Sequence, residues 1–336
     1  MTTLTDETDI LIQAERWRRS GAGVAIATVI ETFGSAPRPL GAHLVVDESG
    51  RFVGSVSAGC VEGEVIAAAL DVIADGEPRL LEFGMVDEAA WRVGLSCGGR
   101  IAVFVENLNE AALELLAASN RLSAARRAHV ILTPLDGGAA RLIEAGRELA
   151  AHGGNSRIVT EEGRRRFLEI RSPTPHLIVV GAVHVAQALA PMARIAGFAV
   201  TVVDPRRAYA TAERFPDTRL DFRWPDEALL SIGLDSATAV VVLTHDPKID
   251  DPALKAALAA DCFYVGALGS RATNARRVER LLTAGVARET LARLHAPIGL
   301  DIGALSPADI AVAILAEIVL ERRRKPLRAA KSEQAA

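Results

Sequence analysis

Hydrophobic positions fall into two different patterns along this chain. Up to about residue 172 the apolar runs are short and separated by loops dense in glycine and proline. Beyond it, continuous β-branched runs alternate with amphipathic stretches. In the first part, residues 23–30 (GVAIATVI) predict a buried strand. Residues 43–47 (HLVVD) and 52–56 (FVGSV) flank Glu48-Ser49-Gly50, a hairpin signal. Residues 61–74 predict a helix with Val65, Ile66 and Ala69 on one side, followed by strands at 79–83 and 101–105 and an alanine- and leucine-rich helix over 110–127. The pattern weakens over 128–172, where Val130–Thr133, Arg157–Thr160 and Arg166–Ile170 are expected as strands that close the first sheet.

Ser172-Pro173-Thr174-Pro175 marks the expected boundary, because two prolines stiffen the chain and end any element. From His176 on, strands are predicted at 177–180, 199–203, 238–243 and 263–266, with helices between them. Continuous apolar strands imply a parallel sheet covered on both faces. A last helix opens at Ser306-Pro307-Ala308-Asp309, with serine as N-cap, and carries Arg322, Arg323, Arg324 and Lys325 toward its C-terminal end. The expected class is α/β. An N-terminal α+β domain spans 1–172 (core 10–108), a Rossmann-like doubly wound parallel-sheet domain spans 173–326, and 327–336 form a mobile tail.

Composition narrows the function. Of 336 residues, 50% are hydrophobic and 24% charged, which excludes a disordered chain. A net charge of −4 gives no electrostatic reason for a nucleic-acid or membrane-surface partner. The start, MTTLTDETDI, is acidic where a secretory signal is basic. The most apolar stretch, 176–203, is broken by His184, Gln187 and Arg194 and does not read as a membrane span. A cytoplasmic protein with reduced thiols is expected, since three cysteines (60, 97 and 262) make no disulfide framework.

The second domain carries a dinucleotide-type turn. Gly181-Ala182-Val183-His184-Val185-Ala186 reads G-x-V-x-x-A against the expected G-x-G-x-x-G/A. Asp204 lies 23 residues after Gly181, a suitable distance for an acid on a ribose hydroxyl, and Arg206-Arg207 could meet a phosphate. One reading is a nucleotide at the helix N-terminus; the other is a Rossmann-like domain whose turn no longer binds, because Val183 crowds a pyrophosphate. At the same sheet edge lie Thr244-His245-Asp246 and Gly269-Ser270-Arg271, the latter a second anion cradle. For His245 and Asp246 the alternative is turn formation and helix capping.

Cys60 and Cys97 sit on glycine-flanked loops, Ala58-Gly59-Cys60 and Ser96-Cys97-Gly98-Gly99. Neither has a CxxC partner, so a zinc site is not indicated. Accessible thiols are one reading, with Cys60 activated by the following helix; small packing residues are the other. Glu62 either meets a ligand or caps the helix, and Cys262 reads as packing.

Taken in order, these segments resemble the XdhC/CoxI family, the accessory proteins of xanthine dehydrogenase and related molybdenum hydroxylases. The resemblance rests on Gly34 to Pro39 with Gly41, Gly54 to Gly63, Gly94 to Gly99, Gly181 to Ala186, Thr244-His245-Asp246, Tyr264-Val265-Gly266 with Gly269-Ser270-Arg271, and His295 to Gly303. It implies binding of the molybdenum cofactor (molybdopterin or its dinucleotide form), protection during sulfuration by a cysteine desulfurase, and insertion into an apo-molybdenum hydroxylase. Ser35, Arg38 and Gly41 would then supply donors. Gly59, Cys60, Glu62, Cys97 and Gly98 would surround the cofactor, with Cys60 and Cys97 touching molybdenum or the incoming sulfur. Gly181, Val183, His184, Asp204, Arg206, His245, Asp246, Gly269, Ser270 and Arg271 would hold its phosphate or nucleotide portion. The sequence departs from the family at Ala58 and Val183, where many relatives have glycine, and in a short middle segment. Two other readings stand beside it. One is an NAD(P)-dependent oxidoreductase using His184, His245 or Asp246 for proton transfer; the other is an interaction scaffold without a small molecule. A homodimer is expected on general grounds.

Overall fold

The computed structural model describes residues 7–34, 38–84, 99–144, 155–161 and 163–333. The chain forms two compact units, Met1–Pro173 and Thr174–Ala336.

The first unit opens with helix α1 (Glu7–Arg19) and then strands β1 (Val24–Phe33), β2 (His43–Asp47) and β3 (Phe52–Gly54). Helix α2 (Glu62–Asp75), strands β4 (Arg79–Phe83) and β5 (Arg100–Asn107) and helix α3 (Glu110–Ala124) follow. The five strands make an antiparallel sheet in the order β3-β2-β1-β5-β4. Side chains alternate across a strand, so β1 serves two cores. Ala25, Ala27 and Val29 pack with Val65, Ala69 and Val72 of α2. Val24 and Ile26 pack with Ile10, Leu11 and Ala14 of α1 and Leu113 and Leu116 of α3. Coverage on both faces explains why the run reads as continuously apolar.

Two boundaries differ from the sequence reading. Strand β3 stops at Gly54, not 56, because the chain there turns through φ +87, and a Cβ would lie 2.2 Å from the carbonyl oxygen of His43. Helix α3 ends at Ala124, not 127, because Arg126 adopts φ +55 and Arg127 N–H closes back on the Leu122 carbonyl at 2.8 Å.

Strands β6 (His129–Pro134), β7 (Arg141–Glu144), β8 (Arg157–Glu161) and β9 (Arg164–Arg171) form a sheet of their own, in the order β7-β6-β9-β8. The expectation that these segments close the first sheet is therefore corrected. Their ladder bonds are spent on one another, from His129 opposite Arg171 to Pro134 opposite Arg166. The second sheet meets the first through side chains instead: Phe167 packs on Ile30, Ala102 and Phe104.

In the second unit the order is β10 (His176–Val180), α4 (His184–Ile195), β11 (Ala199–Val203), β12 (Arg219–Asp221), α5 (Pro225–Ile232), β13 (Thr238–Val242) and α6 (Pro247–Ala259). Then come β14 (Tyr264–Ala267), α7 (Arg271–Thr283), α8 (Arg288–Leu291), β15 (Leu294–His295) and α9 (Pro307–Glu333). All six strands are parallel, in the order β12-β11-β10-β13-β14-β15. This is the Rossmann order, with its switch point between β10 and β13. Leu177 and Val179 face Leu189 of α4 and Ile314 and Ile318 of α9, while Ile178 and Val180 face Leu229 of α5 and Leu254 of α6.

Helix α9 starts with a reciprocal cap. Asp309 N–H donates to Ser306 Oγ at 3.1 Å, and Ser306 N–H donates to the Asp309 carboxylate at 2.8 Å. The helix continues past residue 326, where a tail is expected from sequence, as far as Glu333, because the segment 327–333 is rich in good helix formers; residues 334–336 lie outside the described residues. No helix among the described residues is long and apolar enough to cross a membrane.

Candidate functional site

In the first unit the candidate residues gather on the loop between β3 and α2, and Glu62 organises it. Its Oε1 accepts from Ser55 Oγ (2.7 Å), Ser57 N–H (2.9 Å) and Val56 N–H (3.2 Å). Its Oε2 accepts from Ser57 Oγ (2.5 Å) and Gly59 N–H (2.8 Å). Burial alone would raise this carboxyl, but the two hydroxyls and the loop amides outweigh it and hold it at about 2. Ser57 Oγ accepts in addition from the amides of Cys60 and Val61, both at 2.9 Å, and Ser55 Oγ accepts from Ala58 N–H at 2.9 Å.

Every amide from Val56 to Val61 thus has a partner inside the loop. Glu62 braces the loop that precedes α2, and the helix itself has no side-chain cap. What the loop turns outward is Cys60 itself, exposed and outside any disulfide. Ala58 holds φ +61 and Gly59 φ +116, a region that glycine enters more readily than alanine.

Arg38 Nε donates to the Ser55 carbonyl at 3.2 Å, tying the preceding loop to this one. Gly41 donates its N–H to the Val29 carbonyl at 2.8 Å, so that donor is also spent in the fold. Ser35, Cys97 and Gly98 lie outside the described residues. Cys262 is buried, and burial pushes its thiol up to about 11, as a packing role requires.

In the second unit the candidates collect at the carboxyl edge of the parallel sheet. Gly181 turns through φ +110, and a Cβ there would lie 2.5 Å from Thr244 Cγ2, so glycine is required by the β13 loop packed against it. Asp204 stands at the end of β11, but its carboxylate is closed. Oδ2 accepts from Ala182 N–H (2.8 Å) and Arg206 Nη2 (2.8 Å), and Oδ1 accepts from Arg206 N–H and Nε (both 2.9 Å). It is fully buried; burial opposes ionisation, yet Arg206 and Ala182 hold it below the usual carboxylate range. Arg206 stands over the Tyr209 ring at 4.3 Å. The acid expected on a ribose is engaged by the arginine expected on a phosphate.

Val183 is the N-cap residue of α4. It offers no side-chain cap, and the first turn carries no acid, so the end favours an anion. His184 and His245 are exposed beside it. His245 adopts φ +71, and Asp246 caps α6 by accepting from Lys248 N–H at 3.0 Å, the turn-and-cap alternative. Ser270 caps α7 by accepting from Thr273 N–H at 3.1 Å, beside Gly269 at φ +149 and an exposed Arg271.

Sequence reasoning missed the residues that brace these loops. Asp250 accepts from His245 N–H (3.1 Å) and from the Thr244 hydroxyl, and pairs with Arg277 at 3.0 Å. Arg277 donates also to the Leu268 carbonyl (3.1 Å) and to Asn274, whose Nδ2 donates to the Gly269 carbonyl (2.9 Å). Burial pushes the Asp250 carboxyl up, and Thr244, Arg277 and the His245 amide pull it back. Asp250 and Arg277 lie on separate helices with no motif around them. Their only signal was polarity at helix positions that pack inward. Among the described residues no cluster of histidine, cysteine or acidic side chains could hold a metal ion.

Comparison with known proteins joins both units to one family. The description "XdhC and CoxI family" matches residues 17–84, and "XdhC Rossmann domain" matches residues 177–318. The chain is 32% identical over 318 residues to the molybdenum cofactor insertion chaperone PaoD of Escherichia coli, covering 94% of this chain and 89% of that protein. It is 30% identical over 322 residues to a probable xanthine dehydrogenase subunit of Bacillus subtilis, covering 89% and 93%. A crystal structure described as a xanthine dehydrogenase of Bacillus halodurans superposes with a TM-score of 0.74 at 25% identity, covering 94% of this chain and 96% of that one.

Proposed function

Because this chain belongs to the XdhC and CoxI family, we propose that it is an accessory protein of molybdenum-hydroxylase maturation. It binds the molybdenum cofactor, supports its sulfuration by a cysteine desulfurase, and inserts it into an apo-enzyme of the xanthine dehydrogenase or CO dehydrogenase type. The observation that carries the reading is the 32% identity, running over 94% of this chain, to a molybdenum cofactor insertion chaperone. Two features support it. Cys60 stands exposed on a loop whose shape is fixed from within, as suits a soft ligand that must bind and let go. The uncapped start of α4, with His184, His245 and Arg271 exposed at the same edge, suits an anionic phosphate or nucleotide end. The reading assigns no catalytic residue, and it places the protein in the cytoplasm, as a homodimer.

The test is retention of cargo. The full chain is purified without oxygen from a host that makes the cofactor, and molybdenum and pterin are measured. Wild type should carry both. A Cys60→Ala/Cys97→Ala chain should carry much less. Equal retention would reject the thiol role, and an empty wild type would reject the carrier.

The Rossmann strand order and the uncapped α4 favour one second reading, an NAD(P)-linked oxidoreductase. Against it stands Asp204, with both oxygens already engaged. Titration with NADH and NADPH separates the two: submillimolar binding with turnover favours the oxidoreductase.

A further inference from the structure

The first unit contains a pocket that none of the candidate residues on the β3–α2 loop lines. It is bounded by the end of α2 (Gly76, Glu77, Pro78), by Phe104, Glu106 and Asn107 of β5, by the start of α3, and by the small residues of the β6–β7 turn. Its volume is about 380 Å³, enough for a bicyclic heterocycle. Behind it lies a smaller cavity of about 60 Å³, lined by Thr28, His43, Glu169 and Arg171 among apolar residues. Glu106 lines both and stands at the throat.

Glu106 is out of place by any packing argument. In β5 it shares a face with Phe104, opposite Ile26 and Thr28 of β1. That face packs Ile26 against α1 and α3 and Phe104 against Ile30 and Phe167, with Thr28 and His43 as buried polar members beside them. The nearby Glu169 is provided for, with Arg171 Nε at 2.6 Å and His43 Nε2 at 3.4 Å. No described residue donates a hydrogen bond or forms an ion pair with the Glu106 carboxyl. Glu106 is half-buried, and an acid left without a protein partner between two cavities commonly marks a site.

The charge of the outer pocket narrows the ligand. Among the described residues its lining includes two acids, Glu77 and Glu106, and no lysine, arginine or histidine. A phosphate or carboxylate end would be repelled. A carboxylate with a small-walled slot beside it suits a flat group that presents two N–H donors on one N–C–N edge, which it can bind with both oxygens.

We propose that this pocket binds the 2-amino-4-oxopyrimidine edge of a pterin, with Glu106 as the acceptor. The assignment rests on the carrier reading above for its pterin chemistry; the 14 residues of α2 separate the pocket from Cys60 by about 20 Å, so it is a pterin site apart from the thiol. Burial, together with the neighbouring Glu169, pushes the Glu106 carboxyl up to about 7, with His43 pulling the other way; a donor edge supplies the partner that the ionised form lacks.

The test uses the full chain, with 6-hydroxymethylpterin as a fluorescent probe and lumazine, which has a carbonyl in place of the 2-amino group, as its control. Wild type should bind the pterin saturably and at least tenfold more tightly than lumazine. Glu106→Leu should weaken pterin binding at least tenfold. Ala111→Trp, on the exposed wall formed by α3, should do the same by filling the slot without touching Glu106. Absence of saturable binding by wild type, equal affinity for the two ligands, or wild-type affinity in both variants would overturn the assignment. Cofactor retention, measured in parallel, separates the two levels. If wild type and both variants co-purify with equal cofactor, the pocket assignment fails and the carrier reading stands. If wild type binds pterin but never carries cofactor, the carrier reading fails and the pocket stands.

Discussion

Arg277 and Asp250 form a 3.0 Å ion pair in which each side chain is only 1% exposed, and through it the loops that follow β13 and β14 are fastened together. Removing one partner strands the other charge out of water. Asp250→Leu or Arg277→Met alone should therefore destabilise the second unit by about 3–5 kcal/mol, whereas the double replacement should cost much less. Denaturant unfolding of the three variants, read as a double-mutant cycle, checks this; additive losses would show that the pair is not coupled.

Glu62 should make the first unit sensitive to acid. Its carboxyl is held at about 2 in the folded chain against an ordinary 4.5, so the stabilisation is present above 4.5 and drains away as pH falls toward 2. Allowing for partial exposure, Glu62→Gln should cost about 1–3 kcal/mol at neutral pH and progressively less below pH 4.5. The same variant should change the rate at which iodoacetamide alkylates Cys60, because the loop that presents the thiol loses its brace.

The opposite sign holds at Glu106. A carboxyl raised to about 7 contributes its stability below 4.5, and that contribution is lost as pH rises through 7. Glu106→Gln should therefore match wild type in acid and exceed it by up to about 3 kcal/mol above pH 7. Thermal unfolding from pH 4 to pH 8.5 reads this directly; parallel curves for the two proteins would contradict it.

Gly54 has no room for a methyl group. With φ +87 and the His43 carbonyl oxygen 2.2 Å from the position of a Cβ, Gly54→Ala should cost about 2–4 kcal/mol. By contrast Gly63, with open space around it, should tolerate alanine with little change. Equal melting temperatures for the two variants would be the contrary result.

The second unit was legible because its strands are buried on both faces and therefore spell themselves out as apolar runs. Only β12 and β15, three and two residues long at the sheet edges, left no such trace. The first unit was harder to read. Phe167 and Leu168 alternate normally, but period alone does not tell whether a strand joins a neighbour by its edge or lies over it by its face, and β6 to β9 do the latter. At the sites, spacing located Asp204 correctly and misjudged its availability, since nothing in a sequence tells that Arg206 two residues on will fold back onto it. Glu106 was passed over because the apolar run over 101–105 ends one residue before it, whereas the strand continues to Asn107.

Because Ser55, Ser57 and Glu62 already answer every amide from Val56 to Val61, a guest leaving Cys60 strands no donor behind it. On the carrier reading, departure of cargo would then demand no local refolding of this loop. On that same reading, the direction of a transfer would be set by how avidly the recipient grips the cargo, not by any reluctance of this loop to give it up.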